Sequence, residues 1–78
     1  METINLRNLE LKIARVRKGM SQYLLSYETG IPQVKISLFE RGFKQPNKEQ
    51  ARRIANALQV SVEQIFPGSF PLPEKIGD

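Results

Sequence analysis

The 78-residue chain contains no cysteine and no histidine. Without cysteine, no disulfide can hold this small fold together, so its stability must come from packed apolar surface. The absence of both residue types excludes thiol nucleophiles, imidazole bases and the usual zinc sites. No convergent set of carboxylates takes their place. We therefore expect a binding protein that is not an enzyme and that uses no metal and no cofactor.

Long apolar runs are also missing. No segment approaches the roughly 20 apolar residues that a membrane span needs, and the first ten residues, METINLRNLE, lack the apolar core of a signal peptide. We therefore expect a cytoplasmic protein without a membrane partner, and no feature points to a small-molecule substrate.

Acidic residues are fewer than basic ones: the chain has eight Asp and Glu and twelve Lys and Arg, which gives a net charge of +4. This balance favours a polyanionic partner.

Two short helical patterns in the segment 21–42 are joined by too few residues for an ordinary loop, which is the spacing of a helix-turn-helix. Gly30 can adopt the left-handed conformation that ends the first of these helices, and Pro32 suits the first turn of the next. Two crossing helices would bury the apolar positions of this segment together. Those positions are Leu25, Ile31, Ile36 and Phe39.

The remaining residues of the second helical pattern face outward. They mix amide, hydroxyl, cationic and small apolar groups, as a helix that enters the major groove of DNA does. The outward set includes Gln33, Val34, Lys35, Ser37, Leu38 and Arg41.

A wider set of positions resembles the phage-repressor and Cro-like helix-turn-helix family, also called the xenobiotic-response-element type. The resemblance rests on RVRKGMSQ at 15–22, on FERG at 39–42, and on single positions as far as Phe66, so it covers roughly residues 7–66. It implies an all-α fold: a five-helix repressor-like DNA-binding domain with the helix-turn-helix at helices 2 and 3. It also implies double-stranded DNA as the partner, bound by a homodimer.

The resemblance assigns roles to individual residues. Base contacts are expected from Gln33, Val34, Ser37 and Leu38, and phosphate contacts from Gln22, Lys35, Arg41, Lys44 and Lys48. Arg15 and Glu40 are expected to form a structural ion pair that ties the first helix to the third. Other interpretations remain open: Val34 and Leu38 can instead cover the edge of the core, Gln22 can be a solvent-exposed cap residue, and the cations can be a solvated charge run.

Start and stop residues predict the helix boundaries. The first helix runs from a cap at Asn5 to Lys18, the second begins after Ser21, and the third runs from Pro32 to about Arg41. Capping boxes open the fourth and fifth helices, formed by Asn47 with Gln50 and by Ser61 with Gln64. Ser26 occupies a position that is usually alanine in the family, so its hydroxyl is expected to bond to the backbone of its own helix.

The first helix has two apolar sets. Its longer stripe alone would mark the core face; it comprises Leu6, Leu9, Ile13 and Val16. The family register instead assigns Leu11 and Ala14 to the core. The longer stripe would then need a cover, either from a second subunit or from the apolar residues of the tail.

The chain is expected to divide into a DNA-binding domain at 1–66 and a proline-rich extended tail at 67–78, whose apolar residues are Phe70, Leu72 and Ile76. We interpret the protein as a sequence-specific transcriptional regulator, a repressor acting on a short palindromic operator. The alternatives are an antitoxin or other protein-interaction module of the same fold, or the DNA-binding part of a larger regulator.

Overall fold

The computed structural model describes residues 9–68. In chain order its helices are α1 (Leu9–Arg17), α2 (Gln22–Thr29), α3 (Gln33–Arg41), α4 (Lys48–Leu58) and α5 (Val62–Ile65). No strand occurs within residues 9–68. The predicted all-α fold with five helices, and with a helix-turn-helix formed by the second and third, is confirmed.

Several predictions concern the ends of the chain and lie outside the described residues. These are the cap at Asn5, the first turn of the first helix with Leu6, and the tail residues Phe70, Leu72 and Ile76. The division into a domain at 1–66 and a tail at 67–78 also stays a prediction.

The starts of α2, α4 and α5 follow the predicted caps. The Ser21 hydroxyl accepts the backbone N–H of Leu24 at 3.0 Å, and thus satisfies one of the donors that a helix start leaves free. Both predicted capping boxes are present, one at the start of α4 and one at the start of α5. In each of them the cap side chain and the side chain three residues later bond to each other's backbone N–H.

The turn between α2 and α3 is made by a glycine and a proline. Gly30 has φ +75°, a conformation that costs a residue with a Cβ about 1–2 kcal/mol. Pro32 lies at the N-cap of α3, one residue before the helix begins at Gln33. Its carbonyl accepts the N–H groups of Lys35 and Ile36 at 2.9 and 3.2 Å, which starts the helical hydrogen bonding.

One apolar core lies between the helices. Helix α2 packs on α3 and α4, whereas α1 packs on α3 and α5. All four apolar positions predicted within the helix-turn-helix are buried. The core consists of Leu11, Leu25, Ile31, Ile36, Phe39, Ala51, Ile54, Ala55, Leu58, Ile65 and Phe66.

Helix α1 follows the family register and not its longer apolar stripe. Leu11 is fully buried and Ala14 packs against the core, whereas Leu9, Ile13 and Val16 are 43%, 37% and 58% exposed. The stripe is therefore a surface feature of this chain. Periodicity finds a face of a helix, but the neighbouring helices decide which face is covered.

Candidate nucleic-acid interface

A hydrogen-bond network fixes the turn that sets α3 relative to α2. The Gly30 N–H donates to the Ser26 carbonyl at 2.8 Å, and the Ser26 hydroxyl donates to the Ile31 carbonyl at 2.6 Å. The expectation that this hydroxyl bonds within its own helix was wrong. The turn brings the Ile31 carbonyl close to Ser26, and a buried carbonyl needs a donor that water cannot supply.

Thr29 completes the network and had not been recognised from the sequence. Its side chain is buried, and its hydroxyl donates to the Leu25 carbonyl at 2.8 Å while accepting the Ile31 N–H at 3.2 Å. A hydroxyl residue directly before a glycine that ends a helix is the available sequence signal, since such side chains often bond to nearby backbone. Both polar backbone groups of Ile31 are thus satisfied within the turn.

Arg15 and Glu40 form an ion pair between α1 and α3. Arg15 Nε lies 2.6 Å from Glu40 Oε2, and Arg15 Nη2 donates to Oε1 at 3.2 Å. The two side chains are only 11% and 4% exposed. Arg15 Nη1 also donates to the Met20 carbonyl at 2.8 Å, so one guanidinium joins α1, the turn that follows it, and α3.

Gln22 belongs to the same cluster. Its Nε2 donates to Glu40 Oε1 at 3.0 Å, so the first residue of α2 is tied to α3. This bond uses one of the two amide hydrogens of Gln22. The side chain that was predicted to hold a phosphate is therefore positioned by the acid that pairs with Arg15.

The outward face of α3 changes along the helix. Gln33 and Val34, in its first turn, are exposed, and Val34 leaves 66% of its surface in solvent. Lys35, Ser37 and Leu38 are half-buried. The exposed residues of this face therefore lie at the two ends of α3, Gln33 and Val34 at the start and Arg41 at the end, while Leu38 between them is partly covered.

Three cations follow closely after the outward face of α3. Arg41 is the last residue of α3, Lys44 lies in the loop after it, and Lys48 is the first residue of α4; all three are exposed. No acidic side chain within residues 9–68 forms a salt bridge with any of them. The Arg41 guanidinium carbon lies 5.1 Å from the centre of the Phe43 ring, a contact that the sequence had not suggested.

Two other arginines have their charge compensated within the protein. Arg52 Nη2 and Arg53 Nε bond to the Glu49 carboxylate at 2.5 and 3.1 Å on the exposed side of α4. Hydrogen bonds from Arg52 and then from Arg53 lower the pKa of Glu49 below its ordinary value. Arg53 Nη1 also donates to the Thr29 carbonyl at 3.3 Å. These two arginines thus differ from the three cations beside α3.

Other kinds of site find no support within the described part of the chain. Residues 9–68 hold no group of three or more acidic, histidine or cysteine side chains that is arranged to bind a metal ion. None of the helices α1 to α5 is long and apolar enough to cross a membrane.

The described residues thus form a helix-turn-helix whose second helix has an exposed first turn and is followed by three cations that pair with no acidic side chain of residues 9–68. A family model described as helix-turn-helix matches residues 11–65, and the chain belongs to this family, in its phage-repressor and Cro-like form. The family consists of DNA-binding transcription regulators that are generally not enzymes. No curated protein and no solved structure gave a significant match.

Proposed function

We propose that this protein is a repressor that binds a short, palindromic operator through α3 and the cations that follow it. The observation that carries the proposal is that Arg41, Lys44 and Lys48 follow directly after α3, a helix with an exposed first turn, and have no acidic partner within residues 9–68. An array of uncompensated cations attracts a polyanion, and phosphate contacts of this kind supply most of the affinity of such domains for DNA.

Base contacts are assigned to the outward face of α3. Gln33 lies at the N-terminal end of this helix, the end that reaches base edges when a recognition helix enters the major groove. Its amide can bond both N6 and N7 of adenine. Val34 is exposed enough to contact a thymine methyl group. Ser37 and Leu38 are half-buried, so we expect these side chains to extend less far towards the bases and to make weaker contacts.

Phosphate contacts are assigned to both sides of α3. On one side Gln22 uses its second amide hydrogen, together with the free backbone N–H groups at the start of α2. On the other side Arg41, Lys44 and Lys48 bind the backbone. Lys35, half-buried on α3, also reaches a phosphate.

The exposed stripe on α1 favours a homodimer. Leu9, Ile13 and Val16 place apolar surface on one side of a small domain, and such surface promotes association when it is contiguous. A two-fold dimer would present two copies of α3 to half-sites about one DNA turn, roughly 34 Å, apart. Sedimentation analysis of Ile13→Ser tests this interface. We expect a monomer, whereas Tyr27→Ser, which replaces an exposed side chain on α2, should leave the association unchanged.

The DNA-binding proposal is tested by the salt dependence of affinity. Three or four phosphate contacts per subunit predict a log–log slope of about −5 to −7 for a dimer. Lys44→Ala should make the slope shallower and weaken binding to all sequences alike, because a phosphate contact carries no base information. Arg52→Ala is the matched control, because the Arg52 guanidinium already pairs with the Glu49 carboxylate. A flat salt dependence of the unmodified protein would exclude DNA as its ligand.

Specificity is tested on the operator selected from random or genomic fragments. Gln33→Ala should cost about 1–3 kcal/mol on that site and relax the preference at one base pair per half-site. Its affinity for random duplex DNA should remain that of the unmodified protein. If Gln33→Ala, like Lys44→Ala, weakens binding to cognate and random DNA equally, the assignment of α3 as the reading helix is wrong.

A further inference from the structure

We infer that Phe43 is a positioning residue for DNA binding, because its ring holds the Arg41 guanidinium where a DNA phosphate can be bound. The inference rests on the proposed function and adds to it a residue that makes no hydrogen bond of its own to DNA. It is carried by the contact between the Arg41 guanidinium and the Phe43 ring, at 5.1 Å from the ring centre.

The backbone places Phe43 next to the end of α3. Gly42, with φ +79°, donates its N–H to the Phe39 carbonyl at 3.2 Å, and the Phe43 N–H donates to the Leu38 carbonyl at 3.0 Å. This pair of bonds is the Schellman motif, which turns the chain back over the last helical turn. These hydrogen bonds therefore hold the backbone of Phe43 beside the last turn of α3, which ends at Arg41.

Phe43 is not a core residue, since 66% of its surface is exposed. Folding removes little of this large aromatic side chain from water, so the hydrophobic effect does not explain a phenylalanine at this position. What it does contact is a cation, at a distance within the roughly 6 Å over which a ring face attracts a guanidinium.

A contact through the face of the ring can leave the N–H edge of Arg41 available. A guanidinium is planar, so a ring can cover its face while the N–H groups at its edge still point outward. No acidic side chain of residues 9–68 uses those groups. A phosphate accepts two parallel hydrogen bonds from such an edge. Because the contact with the ring already restricts the long Arg41 side chain, less conformational freedom is lost when DNA binds.

A double-mutant cycle tests the inference with the full chain and a random-sequence duplex of about 30 base pairs, three helical turns. The cycle compares the unmodified protein with Phe43→Leu, Arg41→Gln and the double variant. Phe43→Leu should bind about two- to fivefold more weakly per subunit, the size of an exposed cation–π contact. The double variant should bind like Arg41→Gln alone, because the ring acts only through the guanidinium. Phe43→Trp should restore full affinity.

Two controls separate positioning from folding. Tyr27→Leu removes an exposed ring from α2 and should leave DNA affinity unchanged. The melting temperatures of Phe43→Leu and Phe43→Trp should match that of the unmodified protein, since the ring is not buried.

The inference is overturned if Phe43→Leu loses affinity equally in the Arg41→Gln background, which would mean that the ring contacts DNA directly. A failure of Phe43→Trp to restore binding also overturns it. If the unmodified protein shows no salt-dependent binding to the duplex, the proposed function itself has failed, and the inference falls with it. Binding by the unmodified protein together with an additive cycle rejects only the role of Phe43.

Discussion

Replacing Glu40 with alanine should destabilise the domain strongly. Glu40 accepts two hydrogen bonds from Arg15 and one from Gln22, at 2.6, 3.2 and 3.0 Å, and its side chain is only 4% exposed. Without the Glu40 carboxylate, the Arg15 guanidinium would remain charged, unpaired with an acid and mostly shielded from water. The attachments of both α1 and α2 to α3 would be weakened at once.

The magnitude follows from the burial of the pair. Breaking a buried ion pair by removing one partner costs about 3–5 kcal/mol, and we expect the lower end because Arg15 retains 11% exposure. A chain of this size has a total stability of about 4–12 kcal/mol. A loss of about 3 kcal/mol should lower the melting temperature by about 12–24 °C.

Thermal unfolding followed by circular dichroism measures the effect. Glu49→Ala is the matched control, because its carboxylate also bonds two arginine residues but is exposed; its melting temperature should fall by less than about 8 °C. The double variant Arg15→Met with Glu40→Leu should be more stable than Glu40→Ala, since no charge is stranded. A melting temperature of Glu40→Ala equal to that of the Glu49 control would refute this account of the pair.

Three further results are expected from unfolding experiments. Gly30→Ala should cost about 1–2 kcal/mol in urea denaturation, because alanine must adopt a positive φ there; a neutral effect would mean that the turn adopts another conformation without cost. Asn47→Ala should cost about 1 kcal/mol through loss of the α4 cap, and Asn47→Asp should restore most of it. The pKa of Glu49 is lower in the folded chain than in the unfolded one, so its ion pairs stabilise the fold above the unfolded pKa and are lost as the pH falls through the folded pKa. The urea midpoint of the unmodified protein should therefore fall more than that of Glu49→Gln between about pH 6 and pH 3, and parallel curves would show that these ion pairs contribute nothing.

The sequence alone determined where α2, α4 and α5 begin, and the class of fold. Ser21, Asn47 and Ser61 cap their helices through bonds to residues three positions away, so the signal and its consequence lie in the same short segment. Gly30 likewise encodes the turn through its own backbone conformation. Such local chemistry acts in the same way whatever the rest of the chain does.

Only the tertiary structure decided which apolar face of α1 is covered. Leu11 is buried because α3 and α5 lie against that side, and the longer stripe with Ile13 is left exposed. The same holds for the polar side chains at the candidate interface: the Gln22 amide is bonded to Glu40, and the Ser26 hydroxyl is bonded to Ile31. Each of these side chains has several possible partners in the sequence, and the packing of the helices selects one because it brings that partner within hydrogen-bond distance and excludes water from the others.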